Sequence, residues 1–198
     1  MAYIIAGLGN PGEEYETTRH NAGRIVLKAI ASELTSSDFE MNKKLSSLTA
    51  DAKLGKEDIL LMMPETFMNK SGNALKTLIT NPKKAEKLIV VYDDFHLPLG
   101  TIKVSFNRSS GGHNGLESII KAIKTEGFVR IRIGVAPSSA AGKTKVISGD
   151  KVEKFILGEF KKEELAVLKK ISKKAIEAVV LTIKEGRERA MGAINSSN

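Results

Sequence analysis

Alternating or continuous apolar positions predict six β-strands along the chain. They cover Tyr3–Leu8, Leu48–Leu54, Asp58–Met63, Leu88–Tyr92, Thr101–Phe106 and Phe128–Ala136. Helical spacing of apolar residues predicts helices over Asn21–Leu34, Met68–Ile79, Gly115–Thr125 and Glu163–Glu185, and a short one over 187–195. Alternation of strands and helices is typical of an α/β protein, so we expect a mixed, twisted β-sheet flanked by helices.

The chain shows no internal division. No repeat, proline-rich linker or change of composition interrupts its 198 residues, and we predict a single domain over residues 1–198. A chain of this length can bury about 70% of its unfolded surface, which is enough for a substantial core. The segment Ser138–Gly149 alternates small residues with lysine and lacks an apolar period, so we expect a mobile, basic surface loop there.

The composition excludes several classes of protein. Hydrophobic residues make up 41% and charged residues 27%, with a mean hydropathy of -0.13, which is typical of a globular protein and excludes disordered and fibrous ones. The absence of cysteine excludes disulfide scaffolds, thiol catalysis and cysteine-ligated zinc. The sequence has neither a basic signal region nor an apolar stretch near 18 residues, so we expect no membrane association and a cytoplasmic location.

The positive charge is concentrated in the middle of the chain. The net charge is +8, and residues 101–158 hold ten basic side chains against four acidic ones. Such an excess suits a polyphosphate partner, because neutralising phosphates releases condensed counterions. A solvated lysine-rich surface is the alternative interpretation.

The first predicted strand leads directly into a glycine-rich turn, GLGNPG, at residues 7–12. Its spacing satisfies the G-x-G-x-x-G pattern of dinucleotide-binding proteins. However, Pro11 lacks the N–H that a phosphate would need, and Glu13, Glu14 and Glu16 would repel one. No acidic residue ends a second strand about 20 residues later, as ribose binding would require. The turn therefore favours a different ligand, near the side chain of Asn10.

Polar residues follow several predicted strands at the edge of the sheet where α/β proteins bind ligands. Asn10 follows the first strand, His20 precedes the first helix, and Asn69 lies where the second helix opens after the third strand. Asp93 follows the strand LIVVY, and Asn114 lies in the glycine-rich turn GGHNG. Each of them could have a purely structural role. Because all five converge on one edge, the sequence favours a shared site.

Five strings in this order and over this length resemble those of bacterial peptidyl-tRNA hydrolases. They are GLGNPG, TRHNAG, TFMNKSG, DDFHLPLG and GGHNGLESI, and the segments FVRIRIG and Val152–Gly158 continue the resemblance. The resemblance implies an enzyme that cleaves the ester between a peptide and the 3′-terminal adenosine of tRNA. It further implies that peptidyl-tRNA, by its acceptor end and peptide, is the partner.

The resemblance also implies roles for individual residues. His20 matches the catalytic base and Asp93 its orienting partner. Asn10 matches a third residue of the catalytic group. The positions that match contacts to peptide, adenosine or tRNA phosphates are Tyr15, Phe67, Asn69, Asn114, Lys103 and Arg132. Ser105 departs from the family, which often has lysine there, so one phosphate contact is lost unless Arg108 supplies it. Ala136 replaces the more usual histidine before Pro137.

The side chains themselves suit attack by water. Neutral His20 can accept a proton from water, and a carboxylate on its other ring nitrogen would select the required tautomer. We find no G-x-S-x-G motif or other activated nucleophile, so a covalent intermediate is disfavoured. Either Asn69 or Asn10 could stabilise the oxyanion. Asp93, Asp94 and His96 lack the spacing of a metal site, and we expect neither metal nor cofactor.

Two other functions are compatible with parts of the sequence. The basic middle third alone would suit an RNA-binding protein without turnover, and the glycine pattern alone a nucleotide-dependent oxidoreductase. Release of free tRNA from peptidyl-tRNA without added cofactor would distinguish the hydrolase from both. We expect the hydrolase to act as a monomer.

Overall fold

A computed structural model describes residues 2–35, 37–137, 149 and 151–196. In these residues seven strands form one sheet. The strands are β1 (Tyr3–Gly7), β2 (Glu40–Asn42), β3 (Ser47–Leu54), β4 (Glu57–Pro64), β5 (Leu88–Pro98), β6 (Ile102–Phe106) and β7 (Val129–Ala136). Their order in the sheet is β2-β3-β4-β1-β5-β7-β6.

The centre of the sheet is parallel and its edges are antiparallel. Strand β1 pairs in parallel with β4 and with β5, and β5 pairs in parallel with β7. Antiparallel pairs β2–β3, β3–β4 and β6–β7 complete the sheet. The predicted mixed sheet of an α/β protein is confirmed.

Helices cover both faces of the sheet. They are α1 (Ala22–Leu34), α2 (Gly72–Leu75), α3 (Pro82–Ala85), α4 (Asn114–Ile123), α5 (Lys151–Ile156), α6 (Lys162–Glu185) and α7 (Arg187–Ser196). Alternation along β1 and β5 divides the core in two. Ile5 and Val91 pack with α1, α6 and α7, whereas Ala6 and Val90 pack with α2 and α4. The central strands are therefore buried on both sides, as parallel strands require.

The strand order reverses at β1, because the chain places β4 on one side of it and β5 on the other. In open α/β sheets a crevice forms at such a point, outside the carboxyl ends of the strands. Helix α1 begins there in close contact with the sheet: a Cβ on Gly23 would lie 2.3 Å from the Val91 carbonyl oxygen. Only glycine allows this approach, which brings the residues just before α1 next to β5.

The predicted elements differ from the observed ones in five places. The helix predicted over Met68–Ile79 is a 3-10 turn at Met68–Lys70 followed by the four-residue α2. Gly72 packs closely against α4 at this point, and its N–H donates to the Ser118 hydroxyl (3.0 Å). The strand predicted to end at Tyr92 continues to Pro98, because β7 pairs with it beyond that point. The short elements β2, α3 and α5 were not predicted.

The predicted helices α1, α4, α6 and α7 agree with the structure to within two residues at each end. The mobile loop predicted for Ser138–Gly149 lies outside the described residues, apart from Gly149 itself. Among the described helices, none is both long enough and apolar enough to cross a membrane.

Candidate active site

A cavity of about 610 Å³ opens at the carboxyl ends of the central strands. It contains seven of the residues singled out in the sequence: Asn10, Tyr15, His20, Phe67, Asn69, Asp93 and Asn114. They come from five separate segments of the chain. The fold thus brings together the five strand-end residues, as predicted, and adds the two aromatic residues that the resemblance singled out. Residues of α5 form another wall of the same cavity.

Two histidines share one buried carboxylate in this cavity. His20 Nδ1 lies 3.0 Å from each oxygen of Asp93, and His113 Nε2 lies 3.0 Å from Asp93 Oδ1. His113 Nδ1 accepts the N–H of Leu116 at the start of α4 (3.3 Å), so its proton is on Nε2 and donates to Asp93. His20 therefore donates from Nδ1 to the same carboxylate, and its Nε2 is left to accept a proton.

The surroundings shift the pKa values of both His20 and Asp93 in the directions that favour their hydrogen bond. Burial lowers the pKa of His20, but the charge and hydrogen bond of Asp93 outweigh it, and the pKa lies above its ordinary value of 6.5. Burial raises the pKa of Asp93, but the opposing charges and hydrogen bonds of His20 and His113 are stronger together. They hold the Asp93 pKa well below its usual range, so this carboxylate remains ionised at neutral pH.

A network of amides fixes Asn10. Its N–H donates to Asn21 Oδ1 (2.8 Å), and Asn21 Nδ2 donates back to the Asn10 carbonyl (2.9 Å). The side-chain oxygen of Asn10 accepts the N–H of Met68 (2.8 Å), which ties the turn after β1 to the turn after β4. Asn10 is 8% exposed, and the NH₂ of its side chain remains to donate into the cavity.

Exposed side chains surround the mouth of the cavity. Phe67 is 56% exposed, although large apolar side chains are usually buried. Asn69 follows it in the 3-10 turn, and Asn114 begins α4. Gly111 and Gly112, at φ 60° and 82°, form the tight turn that leads into His113. The mouth thus offers a ring for stacking and two amides for hydrogen bonding.

A basic depression adjoins this cavity and shares Asp93 and His113 with it. Arg108, Arg130 and Arg132 line it. Arg130 is 1% exposed and donates to the Ser109 carbonyl (2.7 Å). Arg132 Nε donates to Asp94 Oδ2 (2.8 Å), so a carboxylate already occupies one edge of this guanidinium.

The register of β6 against β7 shows where Lys103 and Ser105 lie. Lys103 lies opposite Arg132, and Ser105 opposite Arg130, on one face of β6 and β7. Lys103 therefore adjoins the basic depression without lining it. A lysine at position 105 would stand beside Arg130, and the exposed Arg108 lies on the same depression.

Some features of the site were not predicted. The sequence does not indicate that His113 binds Asp93 directly. Met68 was expected only as a helix residue, but its N–H orients Asn10. Asp94 points away from His20, as alternation predicts. His20, Asp93 and His113 each place a possible metal-ligand atom within 4.8 Å of the other two, which is close enough to hold a metal ion. In this structure both histidines bond to Asp93 instead.

The site, a carboxylate-bound histidine in a cavity beside a basic depression, suits a hydrolase that acts on a substrate with phosphates. Comparison with known proteins specifies the family. A profile of the peptidyl-tRNA hydrolase family matches residues 4–198. The peptidyl-tRNA hydrolase of Desulfitobacterium hafniense is 41% identical over 193 residues, which cover 97% of this chain and 98% of that protein.

Two further proteins support the same family assignment. The peptidyl-tRNA hydrolase of Caldanaerobacter subterraneus subsp. tengcongensis is 43% identical over 195 residues, with 98% of this chain and 99% of that protein covered. The crystal structure of peptidyl-tRNA hydrolase from Acinetobacter baumannii superposes on this chain with a TM-score of 0.85. The two sequences are 28% identical, and the superposition covers 98% of this chain and 95% of the other. The chain belongs to the peptidyl-tRNA hydrolase family. Its activity is hydrolysis of the ester bond of peptidyl-tRNA.

Proposed function

We propose that this chain cleaves peptidyl-tRNA by direct attack of water, with His20 as the general base. The observation that carries the proposal is the contact of His20 Nδ1 with both oxygens of buried Asp93, which leaves Nε2 for water. Nε2 takes a proton as the water oxygen attacks the ester carbonyl. The ester C–O bond then breaks, and the imidazolium returns the proton to the 3′-oxygen of the adenosine. A positioned base typically contributes about 10²–10⁴ to the rate.

Asp93 acts as the positioning partner of His20 in this proposal. Its charge stabilises the imidazolium that forms during attack, and its hydrogen bond selects the tautomer with a free Nε2. His113 supports Asp93 from the other side, because its Nε2–H donates to Oδ1. The nucleophile is water, so the reaction as proposed needs no cofactor or metal.

We assign the side-chain NH₂ of Asn10 to the peptide. The oxygen of this amide already accepts from Met68, so the NH₂ is the group that can meet a carbonyl oxygen of the substrate. Asn69 and Asn114 at the cavity mouth hold the peptide and adenosine ends, and Tyr15 and Phe67 contact the terminal base by stacking.

The tRNA phosphates occupy the basic depression in this proposal. Arg108 and Arg132 line it, and Lys103 adjoins it. Because one edge of Arg132 is held by Asp94, the exposed Arg108 is the more available cation, which supports its assignment as a substitute for a lysine at position 105. We further propose that the chain acts as a monomer in the cytoplasm.

Replacement of the base tests the mechanism. His20→Ala should lower kcat for an N-blocked aminoacyl-tRNA by about 10²–10⁴ while tRNA affinity changes little. His96→Ala is the matched control, because it removes an exposed histidine whose backbone N–H bonds to Asp94 and not to Asp93. We expect it to lose less than about tenfold. Retention of more than about a tenth of the wild-type rate by His20→Ala would contradict the assignment.

A further inference from the structure

Helix α5 is a wall of the cavity with little attachment of its own. Val152, Glu153, Ile156 and the following Leu157 line the cavity, and none of the residues of α5 is buried. Its apolar attachment is limited, because Phe155 packs against the core but is only partly buried. The residues that follow α5 add further restraint on its position beside the cavity.

Those residues pair with the segment that carries His20. The N–H of Arg19 donates to the Gly158 carbonyl (3.0 Å), and the N–H of Phe160 donates to the Thr17 carbonyl (2.8 Å). Thr18 and Glu159 form an antiparallel bridge between these two bonds. The end of α5 and the segment before His20 thus behave as two short strands held together by their backbones.

The side chain of Arg19 adds a second connection. Its guanidinium stacks on the Phe155 ring in α5, with 4.6 Å from Cζ to the ring centroid, and Nη1 reaches the Phe155 carbonyl (3.5 Å). Nη2 bonds to Glu164 in the first turn of α6 (2.8 Å). The side chain is 12% exposed, so this ion pair is largely shielded from solvent. Arg19 thus holds α5 against the fixed helix α6.

We infer that Arg19 is a positioning residue that couples the α5 wall of the cavity to the backbone of His20. The inference rests on the proposed role of His20 as base. Arg19 and His20 are successive residues of one 3-10 turn, joined by a rigid peptide unit, so a displacement of Arg19 moves the His20 backbone. The His20 ring is held at its other end by Asp93, and a displaced backbone therefore changes the contact between ring and carboxylate.

The coupling gives substrate binding a consequence for catalysis. The apolar side chains Val152, Ile156 and Leu157 face the cavity, where the substrate would pack on them. A substrate that holds α5 in place also holds Arg19, and through it the turn that contains the base. Misplacement of a catalytic group by about 1 Å can cost about 10²-fold in rate, so this restraint is large enough to matter.

Arg19→Gln tests the coupling with two independent readouts. The first is hydrogen exchange of the 151–157 backbone, which we expect to accelerate at least about tenfold when the anchor of α5 is lost. The second is the pH dependence of kcat/KM. Among the described residues, Asp93 and His113 contact His20, with Asp93 at 3.0 Å and the His113 ring centroid at 5.2 Å from that of His20, and Lys70 and Glu153 line the same cavity. A loosened contact with Asp93 should move the acid limb to lower pH and reduce kcat by about tenfold.

Three variants complete the design. Arg19→Lys keeps a charge opposite Glu164 but loses the planar fork, so both readouts should be intermediate. Gly158→Ala keeps Arg19 but puts a Cβ 3.0 Å from its Nη1, and should shift both readouts in the same direction as Arg19→Gln. Arg187→Gln is the control, because Arg187 also stacks on a ring, Phe106, and pairs with acidic groups far from the cavity. It should leave both readouts unchanged.

The outcomes separate the inference from the mechanism on which it rests. Faster exchange in 151–157 with an unchanged acid limb and kcat would show that Arg19 only anchors α5, and would overturn the coupling. Unchanged exchange would overturn it as well. The mechanism itself fails only if His20→Ala stays active, which the same assay measures separately. Arg19→Lys keeps the test usable if Arg19→Gln does not fold.

Discussion

Asp93→Asn is the most informative single change, because it keeps the shape of the side chain and removes its charge. In the native site the two oxygens of Asp93 accept from His20 Nδ1 and His113 Nε2. An asparagine can place its one oxygen at Oδ1, where it still accepts from both histidines. Its NH₂ then stands 3.0 Å from His20 Nδ1, where the carboxylate had an acceptor. Two N–H groups would face each other.

The least costly relief is a change of tautomer. If Nδ1 of His20 gives up its proton and accepts from the new NH₂, Nε2 carries the proton and can no longer act as a base. Loss of the base should lower kcat by about 10²–10⁴, which corresponds to about 3–5 kcal/mol in the activation free energy. The fold should change little, because the substitution preserves volume and one acceptor.

The pH profile gives the direction of a second effect. Asp93 is the group that raises the pKa of His20, whereas burial lowers it. Without the carboxylate, only burial acts on the pKa of His20, and burial lowers it. The acid limb of kcat/KM should therefore move to lower pH, below the ordinary histidine pKa of about 6.5. Initial rates of N-blocked aminoacyl-tRNA cleavage between about pH 5 and 9 measure both effects, since His20 has to be neutral to act.

An unmoved acid limb would refute the assignment of Asp93 as the partner of His20, whatever the loss of rate. Asp94→Asn provides the comparison on the adjacent residue. Asp94 bonds to Arg132 and to the N–H of His96, and makes no contact with His20. Its replacement should change KM through Arg132 and leave the acid limb in place.

Three further outcomes follow from the site and its scaffold. Asn10→Asp keeps the acceptor but loses the NH₂ donor, so the ratio of kcat/KM between N-blocked and free aminoacyl-tRNA should narrow; equal losses on both substrates would assign Asn10 to catalysis alone. Arg108→Gln should reduce the salt dependence of tRNA binding by roughly one phosphate contact, and Arg132→Gln by less, as titrations at several salt concentrations would show. Gly23→Ala puts a Cβ 2.3 Å from the Val91 carbonyl oxygen and should lower the free energy of unfolding by about 1–3 kcal/mol or more in urea denaturation.

The sequence predicts those parts of the fold that depend on local periodicity. The long helices α1 and α6 carry regular apolar stripes, and their bounds agree within a residue. Helix α2 is much shorter than predicted, because the packing of Gly72 against α4 is a tertiary contact that no local pattern contains. The three-residue β2 is exposed or partly exposed throughout, so it leaves no apolar signal.

The site was predictable to the extent that it lies at strand ends. Asn10, His20 and Asp93 could be grouped because parallel strands bring their carboxyl ends to one edge. The contact of His113 with Asp93 was not predictable, because His113 also caps α4, and capping is a sufficient reason for a polar residue at that position. The ion pair of Arg132 with Asp94 depends on the register of β5 against β7, which the sequence does not specify.

The pairing between residues 17–19 and 158–160 has a consequence for the biosynthesis of this protein. Arg19 and Glu164 are 145 residues apart, so the turn that contains His20 emerges from the ribosome long before its partners exist. Contacts of such long sequence separation form late. A growing chain of this protein is itself a peptidyl-tRNA, and the turn that contains His20 lacks these particular supports until residues 158–164 have been made. The order of translation thus delays completion of the active site while the chain is still attached to its own tRNA.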